Sequence, residues 1–220
     1  MESSAKPASV AVMADGELLG QYYQNSGLTH SRTLLGMTES LISNLEIPLA
    51  KIDLIAVANG PGSFTGVRIG VSAAKGLAWG MELPVCGVST LEAMAYQAAF
   101  DGVIVCPVMD ARQGQVYNAL FKWENGDVYR MTEDRAISLE DLAFELNSKN
   151  EDCLLLGDGA KIAMDSLTDA GVKCKIAPAL LRNQTAYGVA LAARYQTPTT
   201  AINLEPNYLR PSQAERALGR

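Results

Sequence analysis

The residues with the clearest chemical potential lie in a glycine-rich stretch at positions 59–78. An apolar run leads into Gly60–Gly62, a Gly-Pro-Gly sequence that cannot continue either a strand or a helix. Ser63 and Thr65 follow, and their hydroxyl groups are predicted to cap a helix that begins near Gly66. A strand, a glycine turn and a helix start in this order expose backbone N–H groups at one point, which suits an anion. The alternative is an ordinary tight turn before a capped helix, the more common meaning of a lone glycine-rich loop.

This stretch is not a phosphate-binding P-loop. A P-loop needs a lysine followed by serine or threonine to reach the outer phosphates, whereas here Arg68 lies inside the predicted helix. The helix is instead rich in small residues, and each interior glycine costs about 1 kcal/mol relative to alanine. At about 100° per residue, one helix face collects Gly66, Gly70, Ala73 and Ala74. Because such a face lets another backbone approach closely, we predict that it forms an interface with a partner helix.

The charge of the chain limits the partners that it can bind by itself. Its 220 residues include 18 Lys and Arg against 24 Asp and Glu, which gives a formal net charge of −6. The sequence contains no dense run of Lys or Arg. Since neutralised phosphates supply most of the non-specific affinity for nucleic acid, we expect weak RNA binding by the isolated chain. No apolar run is long enough to cross a bilayer, and the first residues do not resemble a signal peptide, so the sequence predicts a cytoplasmic protein.

Few residues are available for metal chemistry or nucleophilic hydrolysis. His30 is the only histidine, and its default interpretation is a surface residue at the start of a helix. A Ser–His–acid hydrolase would have to use this histidine, yet no G-x-S-x-G sequence is present to expose a serine. The cysteines are widely separated and lie in or beside apolar strand-like runs, at Cys86, Cys106, Cys153 and Cys174. We therefore predict reduced core cysteines, no metal site and no bound cofactor.

Strand and helix signals alternate along the chain, which is typical of an α/β protein. The sequence predicts a hairpin around the turn 14–16, and strands at 53–58, 83–88, 103–109, 115–123, 153–156 and 173–176. It predicts helices at 29–45, 90–99, 161–168 and 185–195, and a further helix that opens at 138. A hinge near Gly102 divides the chain into two predicted lobes, 1–102 and 103–220. The terminal helix and the extended tail after Pro198 can return to the first lobe.

Five segments together resemble the TsaB (YeaZ) family. The most specific is GPGSFTGVRIG at 60–70, followed by the small-residue helix. The others match in the family's order: 2–12 at the acidic strand turn, 30–35 at a helix start, 109–117 at a central hairpin and 206–215 in the tail. The resemblance implies two ribonuclease-H-like lobes of the actin, hexokinase and Hsp70 type. The family normally has a short apolar strand before the acidic turn, where this chain has Met1, so either the start is misassigned or the first strand of the sheet is truncated.

The resemblance also implies a role. Members of the family are non-catalytic scaffold and dimerisation subunits that support a TsaD-like partner. This partner transfers threonylcarbamoyl to the tRNA adenosine next to the anticodon, and a TsaE-like ATPase completes the assembly. The tRNA would be held mainly by the partner, and the chain alone would form a homodimer. The implied interface uses the helix 29–45 and the small-residue helix, with His30, Leu34, Gly66, Arg68, Gly70, Ala73 and Ala74.

A vestigial nucleotide site between the lobes is a further implication of the resemblance. In the superfamily, two acids and a glycine-rich turn flank the phosphates, and the corresponding residues here are Glu2, Asp110, Gly157, Asp158 and Gly159. The alternatives from the residues alone are an Asx-turn at Asp110 and a plain strand-to-helix turn at 157–159. A working site would favour the second functional hypothesis, a small-molecule kinase or ATPase of the same superfamily with Asp110 as the base. Turnover of ATP by the purified chain alone would separate this hypothesis from the scaffold.

Overall fold

Residues 1–98, the first part that the structure describes, contain two small sheets and three helices. The structure is a computed structural model that describes residues 1–98 and 100–210. The predicted hairpin is formed by β1 (Ala8–Ala14) and β2 (Glu17–Gln24), and it is followed by α1 (His30–Asn44). A short 3-10 turn (Leu49–Lys51) leads to β3 (Ile55–Gly60), α2 (Phe64–Met81), β4 (Val85–Ser89) and α3 (Thr90–Gln97). β3 and β4 pair in parallel with α2 as their crossover. The predicted end of α3 at Ala99 lies outside the described residues.

The second half is built on one larger sheet. Its first strands are β5 (Ile104–Arg112), β6 (Gln115–Asn118), β7 (Phe121–Glu124), β8 (Asp127–Arg130) and β9 (Arg135–Ser138). They are followed by α4 (Leu139–Lys149), β10 (Cys153–Leu156), α5 (Ala160–Asp169), β11 (Cys174–Ile176), α6 (Ala179–Arg182) and α7 (Ala186–Ala193). The strand order is β11-β10-β5-β6-β9, with β7 paired to both β5 and β8. α4 and α5 bury Leu142, Leu146 and Leu167 against one face of this sheet.

Two local predictions are corrected by side-chain hydrogen bonds. The strand predicted at 115–123 is broken after Asn118, because its buried carboxamide donates to the carbonyl oxygens of Pro107 at 3.0 Å and Ala119 at 3.2 Å. β7 then pairs with the other end of β5. The second correction concerns the start of α2, where the Ser63 hydroxyl accepts the N–H of Gly66 at 3.3 Å. Ser63 is therefore the cap as predicted, whereas Thr65 lies within the helix.

The terminal helix and the tail pack on the first half of the chain. Val189 and Ala192 of α7 share a buried cluster with residues of β3 and β4. In the tail, Thr199 and Val85 exchange two backbone hydrogen bonds, at 2.7 and 2.9 Å. Lys75 of α2 donates to the carbonyl oxygens of Ile202 and Leu204 at 3.2 and 3.0 Å. The division of the chain at residue 102 stays a prediction, and residues 211–215 of the matching tail lie outside the described residues.

The two small sheets are joined at one end only. β1 pairs with β2 and β3 pairs with β4, and among the described residues only Met1 and Glu2 lie between β1 and β3. Met1 donates its amino N–H to Ala56 O at 2.7 Å, and Glu2 exchanges two backbone bonds of 2.9 Å with Ser9. Beyond these two residues the facing edges of β1 and β3 are separated by a gap.

The cysteines lie in strands of both halves of the chain. The four cysteines carry free thiols and lie at Cys86 in β4, Cys106 in β5, Cys153 in β10 and Cys174 in β11. The first three are buried, as predicted for core residues, and Cys174 is half-buried. None of the described helices has both the length and the apolar character that a bilayer crossing requires.

Candidate functional site

A cleft of about 750 Å³ lies where the two halves of the molecule meet. Its walls are formed by the segment before β1, the start of α1, the glycine turn before α2, the β5–β6 turn and the tail. Its polar and charged residues include Ser4, Lys6, His30, Asp110, Arg112, Asp158 and Arg210. Within ranges 1–98 and 100–210, no three His, Cys, Asp or Glu side chains come close enough to hold a metal ion. Two of the predicted acids, Asp110 and Asp158, both line this cleft.

Glu2, the first predicted acid, is fully buried behind the cleft wall. Its Oε1 accepts the N–H of Ser4 at 2.5 Å, while its Oε2 finds no hydrogen-bond partner among the described residues. Burial raises the pKa of the Glu2 carboxyl, and the hydrogen bonds from Ser4 and the nearby amino group of Met1 oppose this shift in part. From its buried position, Glu2 thus fixes the backbone at Ser4, which lines the cleft.

Asp110 is held in the turn between β5 and β6. Its Oδ1 accepts the N–H of Arg112 at 2.7 Å, which is the hydrogen bond of an Asx-turn. Its Oδ2 lies 3.6 Å from Nη1 of the same arginine, whose side chain is largely exposed. Asp158 sits at the cleft mouth and is exposed. Both carboxylates face the cleft, but Asp110 already has local partners for both of its oxygens.

Gly157 and Gly159 allow the turn after β10 to pack closely on β5. A Cβ at Gly157 would lie 2.1 Å from Val108 O, and one at Gly159 would lie 3.0 Å from the same oxygen. The N–H of Gly157 donates to Arg182 O at 2.6 Å, and the N–H of Gly159 donates to Val108 O at 3.1 Å. Because both N–H groups already have partners, neither is free for a phosphate in this arrangement. The nucleotide site stays a prediction.

The small residues of α2 face the interior, which corrects the predicted surface for a partner helix. A Cβ at Gly66 would lie 2.2 Å from Ser3 O, and one at Gly70 would lie 2.5 Å from Ser3 Oγ. Ala74 is fully buried in the cluster between α2 and β3. The close backbone approach that the composition indicated is therefore present. Its partner, however, is the segment of the same chain that precedes β1.

The remaining predicted interface residues divide between the inside and the outside. Leu34 is buried and Ala73 half-buried between α1 and α2. His30 is half-buried, with Nε2 placed 2.8 Å from Ala5 O and Nδ1 unpartnered among the described residues. Arg68 is exposed. Its guanidinium lies 3.9 Å from the centroid of the Phe64 ring, and its Nε donates to the Tyr208 hydroxyl at 2.8 Å.

An exposed surface of α1 and α2 extends from this stacked arginine. We call it the outer helix face, and it comprises Ser31, Leu35, Gly36, Arg68, Ser72, Gly76 and Trp79. A groove of about 590 Å³ runs along it between the two helices. Leu35 is 50% exposed and Trp79 is 68% exposed. An added Cβ at Gly36 or Gly76 would meet no atom of the described residues within 4 Å, so the helix surface is open at these two positions.

Sequence reasoning missed several members of this surface. Trp79 could have been found, since it falls with Arg68, Ser72 and Gly76 on one stripe of α2 at helical spacing. Tyr208, a tail residue beside this surface, carried no comparable signal, because it meets Arg68 across 140 residues of sequence. Its ring also stacks on Phe64, with the ring centroids 4.8 Å apart.

The fold defines an α/β protein of the ribonuclease-H-like, actin and hexokinase type. The family model described as "TsaD: tRNA N6-adenosine threonylcarbamoyltransferase" matches residues 24–217. The tRNA threonylcarbamoyladenosine biosynthesis protein TsaB of Bacillus subtilis is 32% identical over 98% of this chain and 94% of its own length. The protein of the same name from Escherichia coli is 30% identical over 99% of this chain and 96% of its own length.

Solved structures agree with these relatives. YeaZ from Pseudomonas aeruginosa superposes with a TM-score of 0.79 and 25% identity, over 94% of this chain and 97% of that one. The chain therefore belongs to the TsaB (YeaZ) family, within the wider TsaD family whose model it matches. The resemblance inferred from the five sequence segments is confirmed.

Proposed function

We propose that this chain is a non-catalytic scaffold subunit in the biosynthesis of tRNA threonylcarbamoyladenosine, the process for which its Bacillus subtilis and Escherichia coli relatives are named. In this proposal a TsaD-like partner transfers threonylcarbamoyl to the tRNA adenosine next to the anticodon, and a TsaE-like ATPase completes the assembly. The partner also provides most of the contact with tRNA. The observation that carries the proposal is the outer helix face, which is exposed, apolar in part and open at two glycines.

The shape of this face suits another pair of helices. Leu35 and Trp79 project from it, whereas Gly36 and Gly76 leave space into which side chains of a partner can insert. Exposed aromatic and aliphatic groups of this kind form the centre of stable protein interfaces, and arginine is also enriched there. Without the catalytic partner, the same face would join two copies of the chain in a homodimer.

The contacts in the cleft favour a scaffold over a kinase or ATPase. A phosphate site at the turn after β10 needs free backbone N–H groups, and those of Gly157 and Gly159 are bonded to Arg182 and Val108. A catalytic base at Asp110 would first have to leave its hydrogen bond with Arg112. Both features favour a chain that keeps the turns of the superfamily fold but does not catalyse phosphoryl transfer.

Co-purification with a TsaD-like subunit tests the proposal. We expect Leu35→Glu to remove co-purification, because a carboxylate would be buried without a partner at the centre of the interface. The matched control is Phe144→Glu on α4, where an 80% exposed side chain lies away from the outer helix face. The control variant should co-purify like the unchanged chain. Equal recovery of both variants would remove the outer helix face from the interface.

Activity of the isolated chain tests the alternative. We expect no turnover of ATP by the purified chain, and restoration of tRNA modification only when it is combined with the catalytic partner. Steady ATP hydrolysis that is lost in Asp110→Asn would overturn the scaffold proposal in favour of an enzyme.

A further inference from the structure

The guanidinium of Arg68 is held by two aromatic residues and keeps its terminal nitrogens open. Its Cζ lies 3.9 Å from the centroid of the Phe64 ring, which covers one face of the group. Its Nε donates to the Tyr208 hydroxyl, and the Tyr208 ring in turn stacks on Phe64. Nη1 and Nη2 have no hydrogen-bond or ion-pair partner among the described residues. The tail therefore orients this arginine and leaves both terminal nitrogens available.

The open side of Arg68 matches one kind of ligand. The two terminal nitrogens of a guanidinium form a planar fork, which a carboxylate meets with two parallel N–H···O bonds. A free arginine loses side-chain entropy when such a pair forms, and the contacts with Phe64 and Tyr208 reduce this loss. The side chain is exposed and lines the groove of the outer helix face. An arriving carboxylate would thus meet a receptor that is already oriented.

The described residues that line the groove beside Arg68 include no acid. Apart from Arg68 and the half-buried His30, the lining consists of apolar, small and hydroxyl-bearing residues of α1 and α2. Glu39, an exposed acid of α1, lies one turn beyond Leu35 and outside this groove. None of the salt bridges within the described ranges includes Arg68. The opposite charge for Arg68 therefore has to come from another molecule.

The surroundings of Arg68 favour a protein carboxylate over a nucleic-acid phosphate. Binding of a polyanion depends on several Lys or Arg side chains that each neutralise a phosphate. Among the described residues that line the groove, Arg68 is the only Lys or Arg. Its neighbours include Leu35 and Ile69, whose apolar surface becomes buried when another protein covers the groove. A bidentate ion pair beside such a contact is shielded from water and is stronger for that reason.

We propose that Arg68 is the receptor for an Asp or Glu side chain of the catalytic partner, and that Tyr208 is the positioning residue that orients it. This inference rests on the proposed function, because it takes the outer helix face as the surface that meets the partner. It adds the chemistry of the contact, an acid that pairs with Arg68 beside apolar side chains that cover Leu35. It also brings the tail into partner binding, through the hydroxyl of Tyr208.

The affinity of the full chain for the TsaD-like subunit tests the ion pair. Titration calorimetry gives the dissociation constant at about 0.05 M and about 0.3 M salt. We expect Arg68→Gln to weaken binding by roughly 10–100-fold at the lower salt and to reduce the salt dependence. Arg68→Lys keeps the charge but not the fork, and its affinity should lie between the two. The matched control, Lys161→Gln on α5, removes one exposed positive charge and should bind like the unchanged chain.

Tyr208→Phe tests the role of the tail. This substitution keeps the ring that stacks on Phe64 and removes the hydroxyl that accepts from Nε of Arg68. We expect it to weaken binding of the partner by about 2–10-fold. In the Arg68→Gln background it should have no effect, because the hydroxyl then has no guanidinium to orient. An equal effect in both backgrounds would overturn the positioning role.

Charge reversal identifies the carboxylate. Arg68→Glu should bind the partner more weakly than Arg68→Gln, because it places two carboxylates against each other. Surface Asp and Glu residues of the partner are then replaced by Arg one at a time. One of these replacements should restore binding to Arg68→Glu while weakening binding to the unchanged chain. Restoration by none of them would overturn the ion pair.

Failure of this inference can be distinguished from failure of the scaffold proposal. If Arg68→Gln binds the partner fully and Leu35→Glu does not, the outer helix face is the interface and only the inference is overturned. Full binding by both variants would remove the face and the inference together. Loss of tRNA from the complex at unchanged partner affinity would assign Arg68 to a phosphate, and weakening of the homodimer alone would assign it to a second copy. Either result overturns the proposed pair.

Discussion

Glu2 shows how a single buried residue can shape the cleft without reaching it. Its carboxyl fixes the backbone at Ser4, and the segment around it supplies the oxygen and hydroxyl of Ser3 that approach Gly66 and Gly70. The family resemblance implies a place for Glu2 in a vestigial nucleotide site. In the structure the side chain has 0% exposure and is directed into the protein. We therefore expect Glu2 to affect the free energy of unfolding rather than the binding of a ligand in the cleft.

We expect Glu2→Gln to weaken the pH dependence of stability. The pKa of the Glu2 carboxyl is raised by burial from its ordinary value of 4.5. Stability from a raised pKa is fully present below the unfolded value and is lost as pH rises through the folded value. The free energy of unfolding should thus decline from about pH 4.5 upward, and glutamine should remove this part of the decline while its amide oxygen still accepts the Ser4 N–H.

Urea unfolding at several pH values measures this effect. Glu39→Gln, which removes the same charge from an exposed position on α1, is the matched control and should leave the slope of the original chain unchanged. A Glu2→Gln profile parallel to that of the unchanged chain would contradict the prediction.

At the scale of elements, α2 carries small residues on two sides, one packed inside the protein and one exposed on its surface. Gly66, Gly70 and Ala74 face the segment before β1 and the sheet, whereas Gly76 faces the open outer surface. Helical periodicity identified the first side correctly as a place of close backbone approach. It could not distinguish a partner within the chain from a second chain, because Ser3 lies 63 residues before its contact at Gly66.

We expect Gly70→Ala to destabilise the fold by about 1–3 kcal/mol, because the added methyl group would lie 2.5 Å from Ser3 Oγ and 3.3 Å from Val57 Cγ2. The matched control is Gly76→Ala in the same helix, where an added Cβ meets no described atom within 4 Å. This control should be neutral or stabilising by up to about 1 kcal/mol. Denaturant unfolding of both variants measures the difference.

The source of the strain can be tested with a second substitution. Ser3→Ala removes the oxygen nearest to the new methyl group and should recover part of the loss in the Gly70→Ala background. If Gly70→Ala keeps full stability and only loses association with a partner, Gly70 belongs to an interface between chains and its inward placement is wrong.

At the scale of the whole molecule, local signals predicted the elements and long-range contacts placed the site. The hairpin turn at Asp15-Gly16 was predictable because both residues adopt the positive φ angles, 52° and 85°, that their types favour. The stacking of Tyr208 against Phe64 and Arg68 was not, since no local pattern connects a tail to a helix 140 residues away. The break at Asn118 was missed for the same reason, because it depends on a carbonyl oxygen of another strand.

The net charge of −6 belongs to the whole molecule and leads to a prediction about RNA. We expect the isolated chain to bind tRNA weakly, with a dissociation constant of about 1–100 μM near physiological salt. The affinity should fall further as the salt concentration rises. Few phosphates can be neutralised by a surface with 18 basic and 24 acidic residues and no basic run. Filter binding of labelled tRNA measures this for the chain alone, the catalytic partner alone and the two together. Labelled tRNA should be retained on the filter only in the samples that contain the catalytic partner. Submicromolar binding by the isolated chain would require a basic surface assembled in three dimensions, and the scaffold would then itself recognise RNA.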